Sequence, residues 1–158
     1  MNNPNNKQIA TFGAGCFWKT ENEFINVSGV IKTSVGYMGG DFPHPSYLDV
    51  VARITGHAEV AQVEYDTTVI GYEELLQIFW QMHDPTSLNR QGADRGEQYR
   101  SVIFYHTSEQ EQIARRSKQQ LQQSKIFAQD IVTEIKPAKE YYLATEDHQQ
   151  YFQLRHKK

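Results

Sequence analysis

The 158-residue chain holds a single cysteine, Cys16, so no disulfide can form within it. That excludes the stapled frameworks of small secreted domains. It leaves the lone thiol as either core filler, a common fate of free cysteine, or a nucleophile. A dominant charge of one sign is also missing: 16 Lys and Arg stand against 19 Asp and Glu, mixed along the chain, for a formal net charge of −3. The one basic cluster, Arg155-His156-Lys157-Lys158, is too short for a nucleic-acid stripe and reads as a solvated tail. No apolar run approaches the roughly 18 residues of a membrane span. Met1 to Lys7 carry no apolar signal core, so export is not expected and a cytoplasmic location is. His44, His57, His83, His106, His148 and His156 share no short metal-site spacing, so no metal is expected either.

What is present suits one folded domain spanning residues 1–158, with flexible ends at 1–6 and 155–158; nothing suggests more than a monomer. Apolar residues make up 39% and aromatics 12%, enough for a filled core or a ring-lined pocket. Lys7 to Phe12 reads as a strand that runs into Gly13-Ala14-Gly15, and Cys16 to Ile25 as a helix. Strands follow at 30–37 and, by alternation, at 58–65, and a helix at 71–83 is halted by Asp84-Pro85. The continuous apolar run Val102-Ile103-Phe104-Tyr105 predicts a strand covered on both faces. Ser108 with Glu111 predicts a capping box for a helix to about Gln123. Ile131 to Ile135 is the last expected strand, with a short helix near Glu146. Interleaved strands and helices predict an α+β or α/β layered domain, helices packed on a mixed sheet. Two irregular segments, 38–57 and 86–100, are long for a compact domain, and such loops tend to carry function.

Cys16 stands at the first turn of a helix, where unpaired N–H groups and the helix dipole favour a thiolate. The dipole is worth only about 0.3–1 kcal/mol, less than one pKa unit, so it cannot ionise the thiol alone. Glu59 shares its strand parity with Ala61, Val63 and Tyr65. If that face is buried, the carboxyl keeps its proton near neutrality and can act as an acid; otherwise it ends the strand in solvent. A soft nucleophile beside a neutral acid suits a sulfoxide, whose oxygen leaves only when protonated and whose sulfur accepts attack. Phe17 and Trp18 either line a pocket for an S-methyl group or fill the core. Tyr47 and Tyr99, one in each irregular segment, either bind the oxygen or are structural.

Four blocks in one order now resemble a known family. Gly15-Cys16-Phe17-Trp18, then Gly36-Tyr37 with Gly39-Gly40, then Thr55-Gly56-His57-Ala58-Glu59-Val60 look like the A-type peptide methionine sulfoxide reductases. So does the run His83-Asp84-Pro85-Thr86, Asn89-Arg90-Gln91-Gly92, Asp94, Gly96, Gln98-Tyr99-Arg100-Ser101, the resemblance extending over roughly residues 8 to 152. It implies a two-layer α/β sandwich on a mostly antiparallel sheet with a ferredoxin-like core. It also implies reduction of the S-epimer of methionine sulfoxide, free or in proteins. By motif, Cys16 carries over as nucleophile and Glu59 as acid, Phe17 and Trp18 as methyl pocket, Tyr47 and Tyr99 as oxygen ligands, and Asp94 as a polar group of the site. No bound cofactor is implied.

The departures are specific. Lys19 stands where many members have Gly, and Val51-Ala52-Arg53-Ile54 replaces a Cys-Ser-Gly stretch. Ala144 to Gln149 resembles its motif only loosely, and the further cysteines that resolve the sulfenic acid in many members are missing. An outside thiol is therefore expected to regenerate Cys16: thioredoxin, or glutaredoxin with glutathione. Two readings compete, a cysteine hydrolase with His57 or His148 as base, and a non-enzymatic thiol sensor.

Overall fold

The computed structural model describes residues 6–155. The chain runs β1 (Lys7–Ala14), α1 (Phe17–Phe24), β2 (Val30–Met38), α2 (Tyr47–Val51), β3 (Ala58–Asp66) and α3 (Tyr72–Met82). The hairpin β4 (Arg90–Gln91) and β5 (Asp94–Arg95) follows, then β6 (Ser101–Tyr105), α4 (Ser108–Ser124), β7 (Glu134–Pro137), β8 (Tyr142–Leu143) and α5 (Tyr151–Arg155). Six strands form one sheet in the order β7-β6-β1-β3-β2-β8, antiparallel except for β6 with β7. Within it β1-α1-β2 and β3-α3-β6 are two interleaved β-α-β units, so helices collect on one face.

That face holds the main core. Phe12 of β1 stacks between Phe24 of α1 and Phe79 of α3, with ring centroids 5.3 and 5.2 Å away, and Val63, Ile103, Leu75 and Leu76 close around them. Each such side chain taken from water contributes about 1.5–3 kcal/mol, which holds α1 and α3 to the sheet. The back is covered only at one end, where Ala138 and Tyr141 pack on Met38, Ala58, Val60, Val102 and Phe104. This explains β3: its last residues alternate as expected, but Ala58 to Ala61 are buried on both faces. The expected strand at 102–105 is likewise covered on both sides, except that Tyr105 is only half buried.

Three local expectations are corrected. The cap of α4 is Thr107, whose extended backbone lets its hydroxyl accept from the Gln110 amide at 3.0 Å; Ser108 is already helical. The last long strand is Glu134–Pro137 rather than 131–135. Ile131 turns into the core and its amide donates to the Gln122 side chain, while the Val132 amide donates to the Pro85 carbonyl, so neither is free to join a ladder. The segment 38–57 is not wholly irregular, because Ser46 and Asp49 make a reciprocal capping box that starts α2. Near Glu146 a 3-10 turn, Glu146–His148, precedes α5. Of the ends expected to be flexible, residues 1–5 and 156–158 lie outside the described residues. The Asn6 carbonyl accepts from Thr67, and the Arg155 guanidinium stacks 3.6 Å over Tyr151.

Candidate active site

The nucleophile turn is built by glycine. At Gly15 φ is +98°, a region L side chains avoid, and a Cβ there would sit 3.0 Å from the Gln91 side chain. The chain can therefore leave β1 and enter α1 with the β4–β5 hairpin pressed against it. Cys16 follows as N-cap; its carbonyl accepts from the Lys19 and Thr20 amides, and its thiol, making no cap bond, is partly exposed. The Trp18 and Lys19 amides favour a thiolate, as the helix start predicts. Burial and the nearby Glu59 outweigh them and push the thiol up to about 11. Cys16 is therefore a thiol at neutral pH.

Glu59 lies on β3 opposite Tyr37 of β2, in the row that continues through Ala61, Val63 and Tyr65 on the helix-covered face. It is 1% exposed. Oε1 accepts the Phe17 amide at 3.2 Å, one residue past the nucleophile, and Oε2 is buried with no partner. Burial, helped by the charge of Asp94, pushes the carboxyl up to about 8 against the pull of that amide. The acid is thus neutral at pH 7. Since Oε1 is an acceptor, the proton belongs on the unpaired Oε2.

An aromatic box stands over these two groups. Phe17 is fully buried against Val35, Tyr37 and Ala61. Its ring lies 6.4 Å from Trp18, 6.3 Å from Tyr47 at the start of α2, and 5.5 Å from His148. The Trp18 indole is fixed twice: Nε1–H donates to His148 Nδ1 at 3.1 Å, and Tyr151 stacks on its face at 3.7 Å. Tyr99 ends the 3-10 turn Glu97–Tyr99; burial first, then Glu59 and Tyr47, raise its phenol to about 12. The Tyr47 phenol is raised by burial and then by Glu59 and Cys16. Asp94, opposite Gln91 in the hairpin, acts electrostatically on Cys16, Glu59, Tyr47 and Tyr99 alike. The seven residues singled out from sequence therefore come together. Sequence reasoning weighed His148 only as a hydrolase base and missed Tyr151 and Gln91 as parts of this site. His148 and Tyr151 lie about as far along the chain from Trp18 as it allows, with no local signal to join them.

Neither candidate hydrolase base is available to Cys16. His57 accepts the Gly40 amide at Nδ1 and donates from Nε2 to the Phe42 carbonyl, so both nitrogens are engaged by backbone. His148 Nδ1 is taken by Trp18, and its Nε2 faces Asp147 at 3.7 Å. Among the described residues no three His, Cys, Asp or Glu side chains are grouped to hold a metal.

Comparison with known proteins points the same way. The model of the peptide methionine sulfoxide reductase family matches residues 8–158. A peptide methionine sulfoxide reductase MsrA of Nostoc sp. is 63% identical over 149 residues, covering 94% of this chain and 91% of the relative. Mxr1 of Saccharomyces cerevisiae in its reduced form superposes with a TM-score of 0.90 at 34% identity, over 100% of this chain and 91% of that one. The same yeast protein in complex with Trx2 gives 0.67 at 26% identity, over 96% and 88%. With a partly exposed thiol, a neutral buried acid and a cluster of packed rings in one place, the chain belongs to the A-type peptide methionine sulfoxide reductases, oxidoreductases that return methionine sulfoxide to methionine.

Proposed function

We propose that Cys16 and Glu59 carry the reduction together and that the surrounding rings hold the substrate. The S-methyl group rests against Phe17 and Trp18, and the Tyr47 and Tyr99 hydroxyls donate to the sulfoxide oxygen. Glu59 gives that oxygen its proton and takes up the proton the Cys16 thiol loses as its sulfur attacks. The oxygen passes to Cys16, which becomes a sulfenic acid while the substrate sulfur gains two electrons and leaves as methionine. Asp94 tunes the pair through its charge, which holds the Glu59 proton more firmly. The observation that carries this reading is the buried Oε2 of Glu59, which has no partner and belongs to a carboxyl raised to about 8. A buried polar atom left unpaired is costly, and a substrate oxygen would complete it.

With one cysteine in the chain, the sulfenic acid is resolved from outside. A first thiol condenses with it, releasing water and leaving a mixed disulfide; a second thiol then releases Cys16. The complex of the yeast relative with Trx2 supports a thioredoxin-type reductant, and a glutaredoxin with glutathione fits the same chemistry. We place the enzyme, working as a single-domain monomer, in the cytoplasm, where thiols stay reduced; no helix among the described residues is long and apolar enough to cross a membrane. Methionine-S-sulfoxide with excess dithiothreitol is the test. The protein should turn over repeatedly while thiol remains, and Cys16→Ser should abolish turnover; repeated turnover by that variant overturns the nucleophile assignment.

A further inference from the structure

Arg53 stands in a conformation that needs a reason. Its φ is +61°, the left-handed region that favours glycine, in the short turn after α2. The conformation closes α2, the Arg53 amide donating to the Val50 carbonyl at 3.0 Å, and it sends the guanidinium to a second segment. Nη2 donates to the Arg95 carbonyl at 2.7 Å, and Nε lies 2.8 Å from where a Cβ of Gly96 would be. Arg53 thus leaves the segment that carries Tyr47 and grips the turn between β5 and the 3-10 helix that ends in Tyr99. Gly96 is the only residue type that fits beneath it: φ there is +138°, and a side chain would collide with both Arg53 and Gln98. Gln98 is 2% exposed and its Oε1 has no partner, while Arg100 Nη1 ties the turn locally by donating to the Glu97 carbonyl at 2.9 Å. That second guanidinium, of Arg100, also makes the reverse connection, donating to the Gly56 carbonyl from the far side of the same turn.

We propose that Arg53 is a positioning residue that fixes the spacing between the Tyr47 and Tyr99 hydroxyls by cross-linking the two segments that bear them. The proposal rests on the reading of Tyr47 and Tyr99 as ligands of the sulfoxide oxygen. Arg53 itself touches no substrate. The left-handed backbone that closes α2 at Arg53 also lets the guanidinium reach the Arg95 carbonyl.

The decisive variant is Arg53→Gly, because it relaxes the backbone while removing the clamp. Tm should stay within about 2 °C, since relief of strain and loss of an exposed hydrogen bond oppose each other. KM for methionine-S-sulfoxide should rise roughly 5- to 10-fold, the worth of one misplaced hydrogen bond, with kcat within about 2-fold. Hydrogen exchange at the Gly96 and Tyr99 amides, which bond Asn89 and Gly96 carbonyls, should quicken while β1 and β3 amides keep their rates. Arg53→Lys, which keeps a donor and the backbone, should lie between. The effect should also vanish in a Tyr99→Phe background, where no hydroxyl remains to be placed. An unchanged KM in Arg53→Gly overturns the proposal, as does full additivity with Tyr99→Phe. If Arg53→Gly unfolds instead, Arg53→Lys decides by the same KM and exchange readings. A Tyr99→Phe enzyme with wild-type KM would refute the ligand reading itself, whatever Arg53 does.

Discussion

Glu21 and Glu59 are each 1% exposed and sit on the same helix-covered side of the sheet, yet their oxygens are treated in opposite ways. Glu21 of α1 is saturated: Oε2 accepts the Thr33 hydroxyl at 2.7 Å and the Gln150 amide side chain at 2.8 Å, and Oε1 accepts the Gln150 backbone amide at 2.8 Å. Those bonds knot α1 to β2 and to the segment entering α5. Glu59 has one donor, the Phe17 amide, and an oxygen left bare. Equal burial therefore gives a fastening in one place and leaves an unpaired oxygen in the other. What separates them is the number of donors supplied, not the depth.

The sharpest way to break this contrast is Glu59→Gln. It should cut the reduction rate by roughly 10²–10⁴, the usual worth of a general acid, while Cys16 still reacts with iodoacetamide. An unaltered reduction rate would end the acid assignment.

Next comes pH. With Glu59 as the proposed proton donor and its acid form surviving to about pH 8, turnover should fall about tenfold per unit above that, and the limb should disappear in Glu59→Gln. Folding carries the same sign. The folded value lies above the ordinary 4.5, so this group's contribution is complete below about pH 4.5 and is lost as pH rises through about 8. Glu59→Gln should flatten that loss in a Tm-against-pH series.

Glu21→Gln should show the reverse pattern. It should lose about 2 kcal/mol of stability, a Tm drop of roughly 4–8 °C, because one acceptor becomes a donor facing the Thr33 and Gln150 donors. Per folded molecule kcat should stay within a few-fold. A stable Glu21→Gln with crippled chemistry would erase the distinction.

The smallest effect expected is Trp18→Ala, a rise of about tenfold in KM with little change in kcat, matching the worth of one aromatic contact. An unaltered KM would remove Trp18 from the methyl pocket.

Much of this was legible beforehand, and the reasons differ from place to place. Strand parity grouped Glu59 with Ala61, Val63 and Tyr65, because the period of two leaves a strand little choice, but it left open whether that row was buried; the structure buries it. The halt at Asp84-Pro85 was local steric chemistry and came at the right place, with α3 ending at Met82. The short α2 was missed, although Ser46 and Asp49 spell its capping box, since five residues give no helical period to read. The run at 131–135 has strand character, but Ile131 is claimed by the core and by Gln122, a tertiary demand that no window of sequence reveals. Helix position correctly marks where the thiolate would be favoured. It cannot weigh the burial that overrides it, because that depends on what distant parts of the chain pack around the start of α1, such as Tyr47 and His148 against Trp18.

The stack of Tyr151 on Trp18, together with the His148 bond to the indole, has a consequence for synthesis. Trp18 leaves the ribosome 130 residues before His148, the group that receives its indole N–H. Until that stretch and Tyr151 have followed, the ring beside Cys16 has neither of its two braces.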